Sequence, residues 1–300
     1  MIIPKYLQPG DTIGIIAPAR KISEKEIYPF YELISSWKLN YINGKHLFGE
    51  YNQYSGTDEE RAADFQDMLE NPEVRAIICA RGGYGTIRIL RHIDFSGFER
   101  DRKWLAGFSD ITVLHSYFNN FLGTESLHSL MPLNYKPGIN DNAAESLRKA
   151  LFGEKNDFST ELNKYNRYGC FTGEITGGNL SILSSLNGTN LFPDMKKKIL
   201  FIEEVDEYLY HIDRMMQNFL YSGVFNKIGG LIVGAFSDLS DNDIPFGSNH
   251  YELIYETIEK YEFPVIFDFP SGHINNNMTL IFGREMQLMV DENGGMLKTI

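Results

Sequence analysis

The chain has 300 residues, a length that predicts about two domains or one large one. Its 40 Asp and Glu residues outnumber its 28 Lys and Arg residues, giving a formal net charge of −12. This charge argues against nucleic acid and against an anionic membrane surface as partners. The hydrophobic fraction of 43% is typical of a globular protein, and no apolar run is long enough to span a membrane.

The N-terminus has no basic segment followed by a long apolar core, so we expect no signal peptide. Cys79 and Cys170 are the two cysteines, which are too few for a disulfide framework and lack the C-x-x-C spacing of a metal or redox site. There is no His-Glu-x-x-His motif and no cluster of His and Cys, so we expect no metal site. The sequence therefore predicts a reduced, cytoplasmic protein.

The first half of the chain alternates short apolar runs with helical patterns. Thr57 and Glu60 form the Thr-x-x-Glu capping pattern that predicts the start of a helix. The other predicted elements are strands within residues 11–19, 74–80 and 103–107 and helices over residues 86–92 and 111–121. Strands that alternate with helices indicate βαβ units and a parallel sheet.

Residues 134–168 break this rhythm with turn residues and one short predicted helix over 141–151, and we interpret them as the crossing between two domains. Beyond them we predict strands near residues 171–176, 198–203, 230–236 and 264–267 and helices near 179–187, 208–220 and 248–260. The predicted fold is α/β. It has an N-terminal domain of residues 1–135 with a parallel sheet, a linker of residues 136–168 and a smaller α/β domain of residues 169–300.

Ser109 directly follows the predicted strand at residues 103–107, in the sequence Gly107-Phe108-Ser109-Asp110. A serine on a sharp strand-to-helix turn exposes its hydroxyl, and the next N–H, that of Asp110, lies at a helix start where it can receive an oxyanion. The second glycine of a full Gly-x-Ser-x-Gly motif is missing. A plain helix N-cap at Ser109 or Asp110 would explain the same residues.

A glycine-rich turn, Arg81-Gly82-Gly83-Tyr84-Gly85, follows the predicted strand at residues 74–80. Glycines at such a turn allow backbone N–H groups to converge on a phosphate, a carboxylate or an oxyanion. The spacing fits neither the phosphate loop nor Gly-x-Gly-x-x-Gly. A tight turn that binds nothing is the alternative.

Glu203 follows a third apolar run and opens a series of acids. A carboxylate in this position can be partly desolvated and orient an imidazole, whereas the alternative is that all these acids form a solvated loop at a helix start. Of the seven histidines, His273 alone lies in a Gly/Pro/Asn-rich loop after a predicted strand, where α/β enzymes build sites. We interpret His115 as a packing or surface residue, and His128 could line a pocket.

Taken together, Ser109, Glu203 and His273 supply a nucleophile, an acid and a base in the chain order Ser, Glu, His. A hydroxyl is a poor nucleophile at neutral pH unless a neutral histidine accepts its proton, and a carboxylate fixes the tautomer of that histidine.

The ordered motifs resemble those of the serine L,D-carboxypeptidases that act on murein peptides, a family that includes microcin-immunity peptidases. The resemblance spans the chain and rests on residues 7–18, 81–85, 107–110, 177–180, 203–207, 213–214 and 272–273. It implies a Rossmann-like N-terminal domain and a second domain that supplies Glu and His, with the active site between them in a homodimer.

The resemblance also implies roles for single residues. Ser109, His273 and Glu203 would form a catalytic triad, and the backbone N–H groups of Gly83 and Asp110 would form the oxyanion hole. No metal or organic cofactor would be needed.

The substrate implied by the resemblance is a murein tetrapeptide, which would lose its terminal D-alanine at an L,D bond during cell-wall recycling. Arg81 is a candidate by position for binding the substrate carboxylate, and Tyr84 and His128 are further candidates for substrate contacts. One alternative is an immunity-type hydrolase of a peptidyl or aminoacyl nucleotide, marked by a base-stacking aromatic residue. Another is a non-catalytic module that binds an anion or nucleotide at residues 81–85.

Overall fold

The structure is a computed structural model that describes residues 1–300, and the chain divides into two compact units. The first unit contains Met1–Lys155 and Asn275–Ile281, and the second contains Asn156–Ile274 and Phe282–Ile300. This division differs from the expected linker over residues 136–168, because most of that segment belongs to the first unit. The alanine and leucine side chains of its helix pack in the core of that unit.

Thirteen β-strands and eight α-helices make up the fold. The strands are β1 (Thr12–Ile16), β2 (Asn40–Asn43), β3 (Val74–Cys79), β4 (Trp104–Gly107), β5 (Ser126–His128), β6 (Phe158–Thr160), β7 (Gly169–Asn179), β8 (Ile199–Val205), β9 (Gly230–Ser237), β10 (Val265–Ile266), β11 (Leu280–Phe282), β12 (Glu285–Asp291) and β13 (Gly294–Thr299). The helices are α1 (Glu24–Ser36), α2 (Asp58–Glu70), α3 (Thr86–Ile89), α4 (Thr112–Asn120), α5 (Asp141–Phe152), α6 (Leu180–Leu186), α7 (Leu209–Tyr221) and α8 (His250–Ile258). None of these helices combines the length and apolar character that crossing a membrane requires.

The first unit is built on a six-stranded sheet in the order β11-β5-β4-β3-β1-β2. Strands β2, β1, β3, β4 and β5 pair in parallel, and their order is that of a doubly wound α/β fold. Successive residues of β1 belong to cores on opposite faces of the sheet, since Ile15 packs in one cluster and Ile16 in another. Burial on both faces explains why these strands are continuous apolar runs, and the predicted parallel sheet is confirmed.

Helix α2 begins as its sequence predicts. The Thr57 side chain accepts a hydrogen bond from the Glu60 N–H, and the Glu60 carboxylate accepts one from the Thr57 N–H at 2.8 Å. This capping box satisfies two N–H groups that have no partner within the helix. The helix ends at Glu70, directly before Asn71-Pro72.

The second unit has a seven-stranded sheet in the order β10-β9-β8-β7-β12-β13-β6. Strands β7 to β10 pair in parallel, and β6, β12 and β13 extend the sheet in antiparallel pairing. Strands β12 and β13 were not predicted from the sequence, because the buried residues of β12 alternate with more exposed ones instead of forming a run, and β13 begins with two glycines. The α/β character predicted for this half is confirmed, and its parallel strands bring several chain turns to one edge.

Candidate active site

The turn at Ser109 is sharp and strained. Ser109 has a φ of +65°, in the left-handed region, directly after extended Phe108 at the end of β4. The chain then enters a short 3₁₀ turn and continues into α4. A non-glycine residue in this conformation costs free energy and persists where the surrounding structure enforces it. A serine held this way, on a strand-to-helix turn, is the arrangement of a nucleophile elbow.

Gly82 makes room for the serine. A Cβ atom at Gly82 would lie 2.9 Å from the Ser109 Cβ, closer than real Cβ contacts allow, and 3.1 Å from its Oγ. The backbone of the glycine-rich turn therefore lies directly against the hydroxyl. Gly83, the next residue, has a φ of +114°, which also favours glycine.

Asp110 links the two turns. Its carboxylate is buried and accepts a hydrogen bond of 2.8 Å from the Thr86 N–H, at the start of α3. Burial raises the pKa of Asp110, although the hydrogen bonding of Thr86 and the charge of Arg61 act in the opposite direction. The Asp110 side chain thus fixes the glycine-rich turn, while its backbone N–H lies in the first turn after Ser109.

Arg61, which was not identified from the sequence, joins two further loops to the glycine-rich turn. From α2, the buried guanidinium donates to the carbonyls of Pro18, Gly56 and Gly85 and pairs with Asp58. A buried charge is stable only when it is paired and hydrogen-bonded, as it is here. The available signal was its helical spacing, because position 61 precedes Phe65 by four residues on the apolar face.

The candidates for substrate contacts have different surroundings. Arg81 is half-buried and donates from Nη1 to the Lys21 carbonyl at 2.8 Å, and burial lowers the pKa of its guanidinium. Tyr84 is exposed beside Tyr54. His128 is fully buried in β5, with its ring edge-on to that of Phe108.

Arg20 is a further cation near the glycine-rich turn, and it was not identified from the sequence. Its side chain lies against Gly83, where a Cβ atom would approach the Arg20 Cδ to 2.5 Å, and it is exposed. Its place shortly after β1, at the carboxyl edge of the parallel sheet, was the signal that could have identified it.

In the second unit, His273 and Glu203 form a short hydrogen bond. The distance from His273 Nδ1 to Glu203 Oε2 is 2.6 Å, and the Glu203 carboxylate at the end of β8 is fully buried. Burial acts to lower the pKa of His273, but the charge and hydrogen bond of Glu203 outweigh it, so the net pKa is raised. The pair is the acid and histidine that the sequence predicted, brought together from positions 70 residues apart.

The loop that carries His273 is fixed to β9. The Ala235 N–H donates to the Ser271 carbonyl at 2.9 Å, and the Ser237 hydroxyl donates to the His273 carbonyl at 3.1 Å. Gly272 has a φ of +121°, and a Cβ atom there would lie 2.9 Å from the Glu203 Cβ. Glycine is therefore required for the close approach of this loop to the acid.

Glu204 is buried as well, so the alternative that these acids are a solvated loop is wrong for the first two. Its carboxylate accepts hydrogen bonds from Asn179 Nδ2 at 2.8 Å and from the Ser181 N–H at 2.7 Å. Burial, followed by the neighbouring charge of Glu203, raises the pKa of Glu204 to about 7. Glu207, farther along the chain, has a different partner from that of Glu204, because it pairs with His211 at the start of α7.

The raised pKa of Glu204 predicts a pH-dependent loss of stability. A carboxyl whose folded pKa lies above its unfolded value of 4.5 favours folding below pH 4.5, and this contribution is lost as pH rises to about 7. Glu204→Gln does not titrate, so its stability relative to the wild type should rise by about 3 kcal/mol across that window. Denaturant unfolding between pH 4.5 and 8 measures this, with exposed Glu292→Gln as the control. A pH-independent difference would contradict the assignment.

Comparison with known proteins agrees with the fold and motifs. Residues 13–129 match the LD-carboxypeptidase N-terminal domain, and residues 172–288 match the LD-carboxypeptidase C-terminal domain. The chain therefore belongs to the LD-carboxypeptidase family. The resemblance inferred from the sequence is thereby confirmed, together with the two-domain α/β architecture.

Individual relatives span nearly the whole chain. A Bacillus subtilis protein named "Probable murein peptide carboxypeptidase" is 32% identical and covers 98% of this chain and 94% of its own length. The Microcin C7 self-immunity protein MccF of Escherichia coli is 27% identical, covering 94% of this chain and 91% of its own. The crystal structure of muramoyltetrapeptide carboxypeptidase from Oxalobacter formigenes superposes with a TM-score of 0.88 at 25% identity, covering 95% and 97% of the two chains.

Proposed function

We propose that this protein is a serine peptidase that hydrolyses the L,D-peptide bond of a murein tetrapeptide and releases the terminal D-alanine during peptidoglycan recycling. The hydrogen bond of 2.6 Å between His273 and buried Glu203 carries the proposal, because this pairing orients and charges an imidazole for acid–base work. The strained turn at Ser109 supports it with a hydroxyl in the conformation of a nucleophile.

In the proposed mechanism, Ser109 Oγ attacks the carbonyl carbon and its proton passes to His273 Nε2. Glu203 accepts the hydrogen bond of Nδ1–H, which leaves Nε2 unprotonated before attack and stabilises the imidazolium afterwards. The N–H groups of Gly83 and Asp110 stabilise the tetrahedral oxyanion. His273 then protonates the leaving amine of D-alanine, and water hydrolyses the acyl-enzyme by the reverse sequence.

Recognition of the C-terminal carboxylate is assigned to two arginines, one in the glycine-rich turn and one packed against it. Arg81 was the candidate from sequence, and Arg20, exposed along Gly83, is a second. With a net charge of −12 the protein gains no long-range attraction for an anionic peptide, so local donors supply the binding. Tyr84 and His128 stay predictions as substrate contacts.

Incubation with a murein tetrapeptide, with free D-alanine followed by mass spectrometry, tests this function. D-alanine should be released with and without a chelating agent, and the tripeptide product should not be processed further. Absence of D-alanine from the intact enzyme would refute the substrate assignment, and loss of activity with the chelator would refute the metal-free mechanism.

A second candidate is an immunity-type hydrolase of a peptidyl or aminoacyl nucleotide, which the similarity to Microcin C7 self-immunity protein MccF supports. An aminoacyl sulfamoyl adenosine offered to the same preparation distinguishes the two. Cleavage of that compound without release of D-alanine from the tetrapeptide would favour the second candidate. The homodimer and the cytoplasmic location stay predictions, for which gel filtration and cell fractionation are the measurements.

A further inference from the structure

His115 lies six residues after Ser109, on α4, and its side chain is fully buried. Its Nε2 is 2.9 Å from the Gly107 carbonyl oxygen, and its Nδ1 is 2.9 Å from the Ser126 hydroxyl. The expected packing role is therefore incomplete, because both ring nitrogens are hydrogen-bonded and one of them contacts the turn that carries Ser109.

The partners of the ring determine where its proton lies. A carbonyl oxygen can only accept, so Nε2 carries the proton and donates to Gly107. Burial lowers the pKa of His115 to about 4, against a raising effect of the Gly107 hydrogen bond, and the ring is neutral at neutral pH. Nδ1 therefore accepts a hydrogen bond from the Ser126 hydroxyl, and a single chain of donors runs from Ser126 through His115 to Gly107.

The Gly107 carbonyl belongs to the peptide group that immediately precedes Phe108 and the strained Ser109. It also accepts from the Ser129 N–H at 3.1 Å, so two donors fix the plane of this peptide. His115 lies on the helix that follows the turn, and Gly107 ends the strand that precedes it. The imidazole thus joins the two arms of the turn across Ser109, which is the kind of restraint that a left-handed serine needs.

We propose that His115 is a positioning residue, whose Nε2–H holds the Gly107 carbonyl and thereby keeps Ser109 in its reactive conformation. The proposal rests on the proposed role of Ser109 as nucleophile. His115 itself exchanges no proton with the substrate, so removing it should affect the reactivity of Ser109 more than the binding of the peptide.

Two amide variants separate the two hydrogen bonds. The amide nitrogen of His115→Gln can occupy the place of Nε2 and donate to Gly107, whereas the shorter side chain of His115→Asn reaches Ser126 only. His115→Asn should lower kcat for D-alanine release, and the rate of Ser109 modification by a fluorophosphonate, by about 10- to 100-fold, with KM within about twofold. His115→Gln should recover most of both losses at a similar melting temperature.

Equal losses in the two variants, or a His115→Asn rate within about twofold of the wild type, would overturn the proposal. Should His115→Asn fail to fold, Ser126→Ala provides the test, since it removes the other partner and leaves the Nε2 donor in place. Its modification rate should stay within about threefold of the wild type, and a loss like that expected for His115→Asn would show a packing role instead.

The fluorophosphonate also separates this inference from the proposed function. If the fluorophosphonate modifies Ser109 of the wild type but the wild type releases no D-alanine, the substrate assignment fails. The His115 variants are then compared by their rates of Ser109 modification alone. If Ser109 of the folded wild type is not modified, its role as nucleophile and the positioning role of His115 both fail.

Discussion

Replacement of Ser109 by alanine is expected to lower kcat for D-alanine release by about 10⁴-fold or more, because no other group in the turn can form the acyl-enzyme. Binding should survive, since the N–H groups of Gly83 and Asp110 and the arginines near them are unchanged. The comparison requires kcat from D-alanine release and the dissociation constant of the tetrapeptide from calorimetry. Retained turnover in Ser109→Ala would exclude the serine mechanism.

Ser109→Gly is the matched control for the backbone. Both variants lack the hydroxyl, so both should be inactive, but glycine adopts the φ of +65° without the strain that alanine shares with serine. Ser109→Gly should therefore be more stable than Ser109→Ala by about 1 kcal/mol in denaturant unfolding. Equal stability would show that the turn relaxes on substitution. A non-catalytic anion-binding module would instead keep its full function in both variants.

Local signals predicted much of the fold. The apolar runs at β1 and β3 are buried on both faces of the first sheet, which leaves an unambiguous pattern in the sequence. The capping box at Thr57 involves four consecutive residues and needs no tertiary information. By contrast, β5 is three residues long and polar at both ends, and β11 joins the first sheet from far along the chain, so neither has a local signature.

The candidate site residues also differ in whether local sequence patterns identify them. The sharp turn at Ser109 was predictable because a strand followed by Gly-x-Ser specifies a turn, and His273 was a candidate because of its glycine-rich loop. The burial of Glu203 was one of two alternatives, because a run of acids after a strand is also compatible with a solvated loop until the packing of β8 is known. The burial of Glu204 was not predicted. Arg61 was not identified for a similar reason, because its carbonyl partners at Pro18 and Gly85 are distant in the sequence. The hydrogen bonds of His115 to Gly107 and Ser126 depend likewise on how α4 packs against β4 and β5.

The carboxylate of Glu203 is expected to set both the rate and the pH dependence of the reaction. Glu203→Gln should lower kcat by about 10⁴-fold, because an amide that donates to Nδ1 forces the proton onto Nε2, where it blocks proton transfer from Ser109. The pH profile should move as well. His273 acts as a base only when neutral, so kcat/KM rises with pH through its pKa, which Glu203 holds above 6.5. Without that charge, burial lowers the pKa, and the residual activity should persist to lower pH.

Glu207→Gln provides the matched control for this shift. Glu207 lies four residues farther along and pairs with His211 at 2.5 Å, so its substitution removes the same charge from a neighbouring carboxylate–histidine pair. Its kcat and the acid limb of its profile should match those of the wild type. An acid limb that stays in place in Glu203→Gln, or moves equally in both variants, would mean that His273 is not the titrating base. Since the hydrogen bond of 2.6 Å joins His273 to Glu203 alone of these two acids, only Glu203→Gln should move the limb.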